Sequence, residues 1–143
     1  DAIRAAELGI DVIYVSNHGG RQLDQGPGAM DILPGIVNEV GSRASIVVDG
    51  GFYRGTDIIK AMALGASAVG LGRLQVWALA AGGAPALVSC MRILKHEIKT
   101  ALALCGVAGF SELDASFVMD APVTVAPDVF SAFPLLNLED EGY

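Results

Sequence analysis

Short, continuously apolar runs alternate with segments of helical period along the first half of the chain. The runs Ile10–Val15, Ala44–Val48 and Ala66–Leu71 are rich in Val and Ile, as strands covered on both faces must be. Between them the period lengthens. Asp1–Leu8 reads as a short helix closed by Gly9, and Asp31–Val40 as a second one closed by Gly41. Pro34 is tolerated there because it falls in the first turn, where no amide donor is needed. Asp57–Leu64 reads as a third helix, with Thr56 as its cap and Gly65 at its end. From Leu74 the chain turns helical again. Its longest piece, Pro85 to Cys105, sets Met91, Leu94, Ile98 and Leu102 on one stripe and Lys95, His96 and Lys99 off it. After Gly106 the signal fades, and Pro122, Pro127, Pro134 and Glu139-Asp140-Glu141 mark an irregular, acidic end.

A helix followed by three strand–helix units demands a parallel sheet. The unusual polar residues all follow strands: His18 and Arg21 after the first, Asp49 and Gly51 after the second, Gly72 and Arg73 after the third. That is the catalytic face of a (β/α) barrel, and equally the ligand crevice of an open doubly wound sheet. Two checks favour the barrel. The glycine fingerprint of dinucleotide folds is absent, because Gly26-Pro27-Gly28 would need glycine where Asp31 stands and Gly70-Leu71-Gly72 where Gln75 stands. Nor does any of Lys60, Lys95 and Lys99 follow a glycine, so there is no P-loop. Barrels often bind phosphate with the loops after their last two strands, and Asp49-Gly50-Gly51…Arg54-Gly55-Thr56 followed by Gly72-Arg73 fits that arrangement.

Composition narrows the field further. At 143 residues, with 52% apolar and 17% charged residues, the sequence is that of one globular domain. A net charge of −7 argues against nucleic acid or an anionic membrane as partner. Arg21, Arg54 and Arg73 can still build a local positive pocket. Cys90 and Cys105 on one helix would lie roughly 22 Å apart, beyond disulfide reach, and read as packed thiols of a reducing, cytoplasmic compartment. The most apolar region, Ala61 to Leu87, is interrupted by Arg73, glycines and Pro85, so no transmembrane segment is expected. No spacing of Cys, His, Asp or Glu suggests a metal.

The loop Ser16-Asn17-His18-Gly19-Gly20-Arg21-Gln22-Leu23-Asp24 holds the candidate chemistry. His18 can exchange a proton near neutral pH, and the fork of Arg21 suits a carboxylate. A base and a carboxylate clamp on one loop point to proton abstraction from a small organic acid.

This stretch resembles the active-site signature of the FMN-dependent α-hydroxy acid oxidases and dehydrogenases, among them glycolate and lactate oxidases and mandelate and lactate dehydrogenases. A second block, Asp49-Gly50-Gly51-Phe52-Tyr53-Arg54-Gly55-Thr56-Asp57…Gly72-Arg73, resembles the family's phosphate region at the family's spacing. The likeness is close from Asp1 to about Arg73 and looser to Cys105. It implies an eight-stranded (β/α) TIM barrel, of which residues 1–106 form about the last three βα units and residues 107–143 a partly irregular tail. The family's flavin-contacting lysine, its substrate-binding tyrosines and the aspartate orienting the histidine are then expected upstream of Asp1, and the activity only in the full-length chain.

The resemblance assigns roles. His18 is the base acting on an L-2-hydroxy acid, and both His18 and Arg21 bind that substrate, Arg21 by its carboxylate. Ser16 lies against the flavin ring, and Asp49 meets the ribityl hydroxyls of FMN. Gly50, Gly51, Tyr53, Arg54, Gly72 and Arg73 form the phosphate end. Tyr53 departs from the family pattern, which has consecutive arginines at this position and the next. A homotetramer is a further implication. The competing readings are another FMN barrel enzyme acting on a phosphorylated compound, which would not need His18 and Arg21, and a truncated fragment that binds no flavin.

Overall fold

The computed structural model describes residues 1–120. Helix α1 (Ala2–Glu7) leads into strand β1 (Val12–Val15), helix α2 (Ala29–Val40), strand β2 (Ser45–Asp49), helix α3 (Gly55–Ala63), strand β3 (Ala68–Gly70) and helix α4 (Arg73–Leu104). Short 3-10 turns follow at Phe110–Glu112 and Ala115–Phe117, so the start of the tail is turn-rich. The proline-marked acidic end lies outside the described residues.

The strands pair in parallel in the order β1-β2-β3, as the alternation of elements required. Val15, Val48 and Val69 share one face in register, and Tyr14, Val47 and Ala68 the other. Among the described residues only the first face is covered. Val15, Ile46 and Val48 are buried with Leu33 and Val40 of α2, Ile58 and Ala61 of α3, and Leu94 of α4. On the opposite face Val12 and Tyr14 are exposed. Among the described residues the helices pack against one side of the sheet, and nothing covers the other.

Helix ends differ from expectation in an instructive way. Thr56 does not cap α3. The helix begins at Gly55, and the Asp57 carboxylate accepts the Tyr53 and Arg54 amides at 3.0 and 2.9 Å. Asp31 does the same at the start of α2, accepting the Gly28 amide at 3.0 Å. An acid in the first turn satisfies donors there that have no partner within the helix and complements the helix dipole.

Helix α4 is two pieces. Gly82 (φ −171°, ψ 27°) and Gly83 (φ 63°, ψ −153°) break it, which puts Pro85 in the first turn of the second piece. By length and composition the whole of Arg73–Leu104 could cross a membrane, with a mean hydropathy of 1.4 in its most apolar window. The break divides that span, and Arg92, Lys95, Glu97 and Lys99 lie on the second piece. Of its expected apolar stripe, Leu94 and Leu102 are buried and Ile98 is half-buried, but Met91 is exposed. Cys90 is half-buried and Cys105 exposed, so only the first is a packed thiol.

Candidate active site

All three strands deliver their last residues to one end of the sheet, and a cavity of about 320 Å³ opens there. Its walls come from each strand's following loop: His18, Gly19 and Arg21; Asp49, Gly50, Gly51, Phe52 and Tyr53; Gly70, Gly72, Arg73 and Leu74. Eight of the ten residues expected at the site thus line one space. Ser16 and Arg54 do not. Ser16 reaches it through Asp49, whereas the Arg54 guanidinium is turned away to Glu97 of α4, with Nη2 at 2.8 Å and Nε at 2.9 Å from Oε1.

The His18 loop is held by local bonds. Asn17 Oδ1 accepts the Gly19 amide at 2.9 Å, and Ser16 Oγ accepts the His18 amide at 3.0 Å. His18 itself has a left-handed backbone (φ 53°), followed by Gly19 and Gly20 with positive φ. Such a run bends the chain sharply, and two of its three positions are glycine, which bears that conformation without cost. The imidazole Nδ1 lies 2.7 Å from Gln22 Oε1. With that oxygen as acceptor, Nδ1 carries the proton and Nε2 is the nitrogen able to take one.

Arg21 is exposed, and although its backbone amide donates to the His18 carbonyl at 3.3 Å, its guanidinium makes no hydrogen bond or ion pair among the described residues. Asp24, the structural partner one could imagine for it, instead accepts the Gln25 amide at 2.9 Å. Arg73 lies against Gly19, where a Cβ would come 3.5 Å from its guanidinium, so the first and third loops meet. Arg73 also opens α4, whose first-turn amides face the same end. Gly51 (φ 80°) and Gly72 have open space where a side chain would begin, leaving their backbone accessible to a ligand. This donor set, one guanidinium, a helix N-terminus and bare glycine backbone, fits a phosphate; Asp49 beside it fits hydroxyl groups.

Asp49 sits at the centre of a side-chain network. Tyr14 Oη donates to its Oδ2 at 2.9 Å and Ser16 Oγ to its Oδ1 at 3.2 Å. The bond to Asp49 foremost, then burial and the Asp49 charge, hold the Tyr14 hydroxyl above its ordinary value of 10.0. Tyr53 stacks on Trp77 of α4, ring centres 5.4 Å apart and planes 17° from parallel.

A family model for FMN-dependent dehydrogenases matches residues 1–120. The chain belongs to that family. Among its relatives, an L-lactate oxidase from Nostoc is 48% identical over 118 residues, covering 82% of this chain and 32% of the relative. Human 2-hydroxyacid oxidase 1 is 43% identical over 126 residues, covering 88% and 34%. The structure of a monotopic membrane protein, (S)-mandelate dehydrogenase, superposes with a TM-score of 0.80 at 39% identity, covering 85% of this chain and 32% of that one. The chain thus spans about a third of the length of the relatives it matches.

Four residues that hold the expected site residues in place, Gln22, Tyr14, Trp77 and Glu97, are not singled out from the sequence. Gln22 was legible as the residue one helical turn after His18, and Tyr14 as two residues before Ser16, on the same side of a strand. Trp77 and Glu97 carry no such signal, because they reach Tyr53 and Arg54 only through the packing of α4 on α3. Among the described residues, no group of three or more metal-binding side chains is present.

Proposed function

We propose that this chain is the substrate-binding and phosphate-binding end of an FMN-dependent 2-hydroxy acid oxidoreductase, built as the last three βα units of a (β/α) barrel. The observation that carries the reading is the single cavity joining His18 and Arg21 to Asp49, Gly51, Gly72 and Arg73. A site that bound only a phosphorylated ligand would need the second set and not the first.

Arg21 holds the substrate carboxylate with two parallel hydrogen bonds, for which its fork is free. That fixes the 2-hydroxyl-bearing carbon relative to His18. His18 Nε2 takes the substrate proton, while Gln22 on Nδ1 keeps the ring in the required tautomer and orientation. FMN, when bound, would supply the acceptor for the two reducing equivalents removed from the 2-hydroxy acid as it becomes a 2-oxo acid. Arg73, the α4 N-terminus and the Gly51 backbone would hold its phosphate, and Asp49 its ribityl hydroxyls. Names of the relatives support this substrate class: lactate, 2-hydroxy acids and mandelate.

The test is to purify the full polypeptide carrying these residues, load it with FMN, and mix it anaerobically with L-lactate, glycolate and mandelate. At least one acid should bleach the flavin, and His18→Asn should abolish bleaching. A yellow protein that no 2-hydroxy acid reduces refutes the reading.

A further inference from the structure

We infer that Tyr14 is a positioning residue of this site, setting the Asp49 carboxylate for the cofactor through its hydroxyl; the inference rests on the reading of Asp49 as a flavin contact. Tyr14 stands on the sheet face away from the helices and is 57% exposed, so its ring contributes little to the core. What its hydroxyl does is specific. It crosses from β1 to β2 and donates to Asp49 Oδ2 at 2.9 Å.

The third strand leaves room for this bond. Gly70 pairs with Asp49 in register, and a Cβ on Gly70 would fall on the Tyr14 hydroxyl. Glycine at that place in a strand marks a close approach, here that of the phenol. On the other side of the carboxylate, Ser16 Oγ donates to Oδ1 at 3.2 Å and accepts the His18 amide at 3.0 Å. Each carboxylate oxygen is therefore held from one side, which fixes the plane of the group. A carboxylate offers about four acceptor sites, so two remain for ligand hydroxyls. Tyr14 thereby anchors a chain of bonds running from Asp49 through Ser16 to the backbone of the His18 loop.

The experiment is a double-mutant cycle on FMN affinity, read by flavin fluorescence on titration of the full polypeptide. A hydrogen bond to a charged group predicts that Tyr14→Phe weakens FMN binding roughly tenfold. Because Tyr14 acts through Asp49, adding Tyr14→Phe to Asp49→Asn should weaken binding no further. Gly70→Ala, whose Cβ would fall on the Tyr14 hydroxyl and come 3.0 Å from Asp49 Oδ2, should weaken FMN binding at least as much as Tyr14→Phe, and Tyr14→Phe should add nothing to it. Affinity in Tyr14→Phe within about twofold of the parent, or full additivity with Asp49→Asn, overturns the inference while leaving the function reading intact. A folded parent that takes up no FMN overturns both.

Discussion

Arg54 offers the sharpest test of how the phosphate end is divided between binding and folding. Its guanidinium is committed to Glu97, at 2.8 and 2.9 Å from Oε1, and points away from the cavity. The Arg54 side chain is 66% exposed and that of Glu97 21%, so solvent screening leaves the pair about 0.2–1 kcal/mol. Glu97 also holds the backbone, since its Oε2 accepts the Gly55 amide at 2.6 Å in the first turn of α3. A charged acceptor on an otherwise unpaired helix amide contributes roughly 1.5–3 kcal/mol. Arg54→Ala should therefore cost less than about 1 kcal/mol. Glu97→Ala should cost roughly 2–3 kcal/mol, and the double variant no more than Glu97→Ala alone. Urea unfolding at equilibrium reads the stabilities, and FMN titration of the same proteins reads binding. Arg54→Ala should keep its FMN affinity within about twofold. A tenfold loss of affinity would refute the argument, since it would show the guanidinium leaving Glu97 for the phosphate.

Leu33, fully buried beneath the sheet, should cost about 2–5 kcal/mol when cut to alanine, as a lowered urea midpoint with an unchanged slope. Gly65→Ala meets two penalties, a φ of 96° and a Cβ only 2.6 Å from Val37 Cγ1, and should destabilise by roughly 1–3 kcal/mol; a thermal midpoint equal to the parent's would contradict it. Tyr14, held above 10.0 in the folded state, supports the fold below pH 10 and loses that support as pH rises through its folded value. Tyr14→Phe should thus remove a phase above pH 10 from the tyrosinate absorbance titration and flatten the alkaline loss of stability. Tyr53→Arg adds a third arginine to a cavity wall that already carries Arg21 and Arg73, and should tighten FMN binding several-fold, roughly what one charge-assisted bond brings; unchanged affinity would count against a phosphate there.

Much of this architecture was legible because short-range chemistry dictates it. Val-rich runs separated by helical periods required a parallel sheet, and the polar residues after each run required a site at its carboxyl end. What the sequence hid depends on packing between distant elements. Thr56 looked like a cap because Ser and Thr favour that place, but the helix already begins at Gly55, where Asp57 and Glu97 satisfy the amides of Tyr53, Arg54 and Gly55. Arg54 looked like a phosphate ligand because of its neighbours along the chain. Its orientation is decided by Glu97, which lies 43 residues further on. Met91 shares a helical stripe with Leu94 and yet stays exposed, since α3 meets α4 near Leu94 and Ile98.

The left-handed backbone of His18 sets the site against the fold. A non-glycine residue at φ 53° costs on the order of 1 kcal/mol, and glycine would relieve it. Because His18 is exposed, that change would come in a single step and with no repacking of the core. In the role proposed for it above, the imidazole is chemistry held at a cost to the loop that carries it.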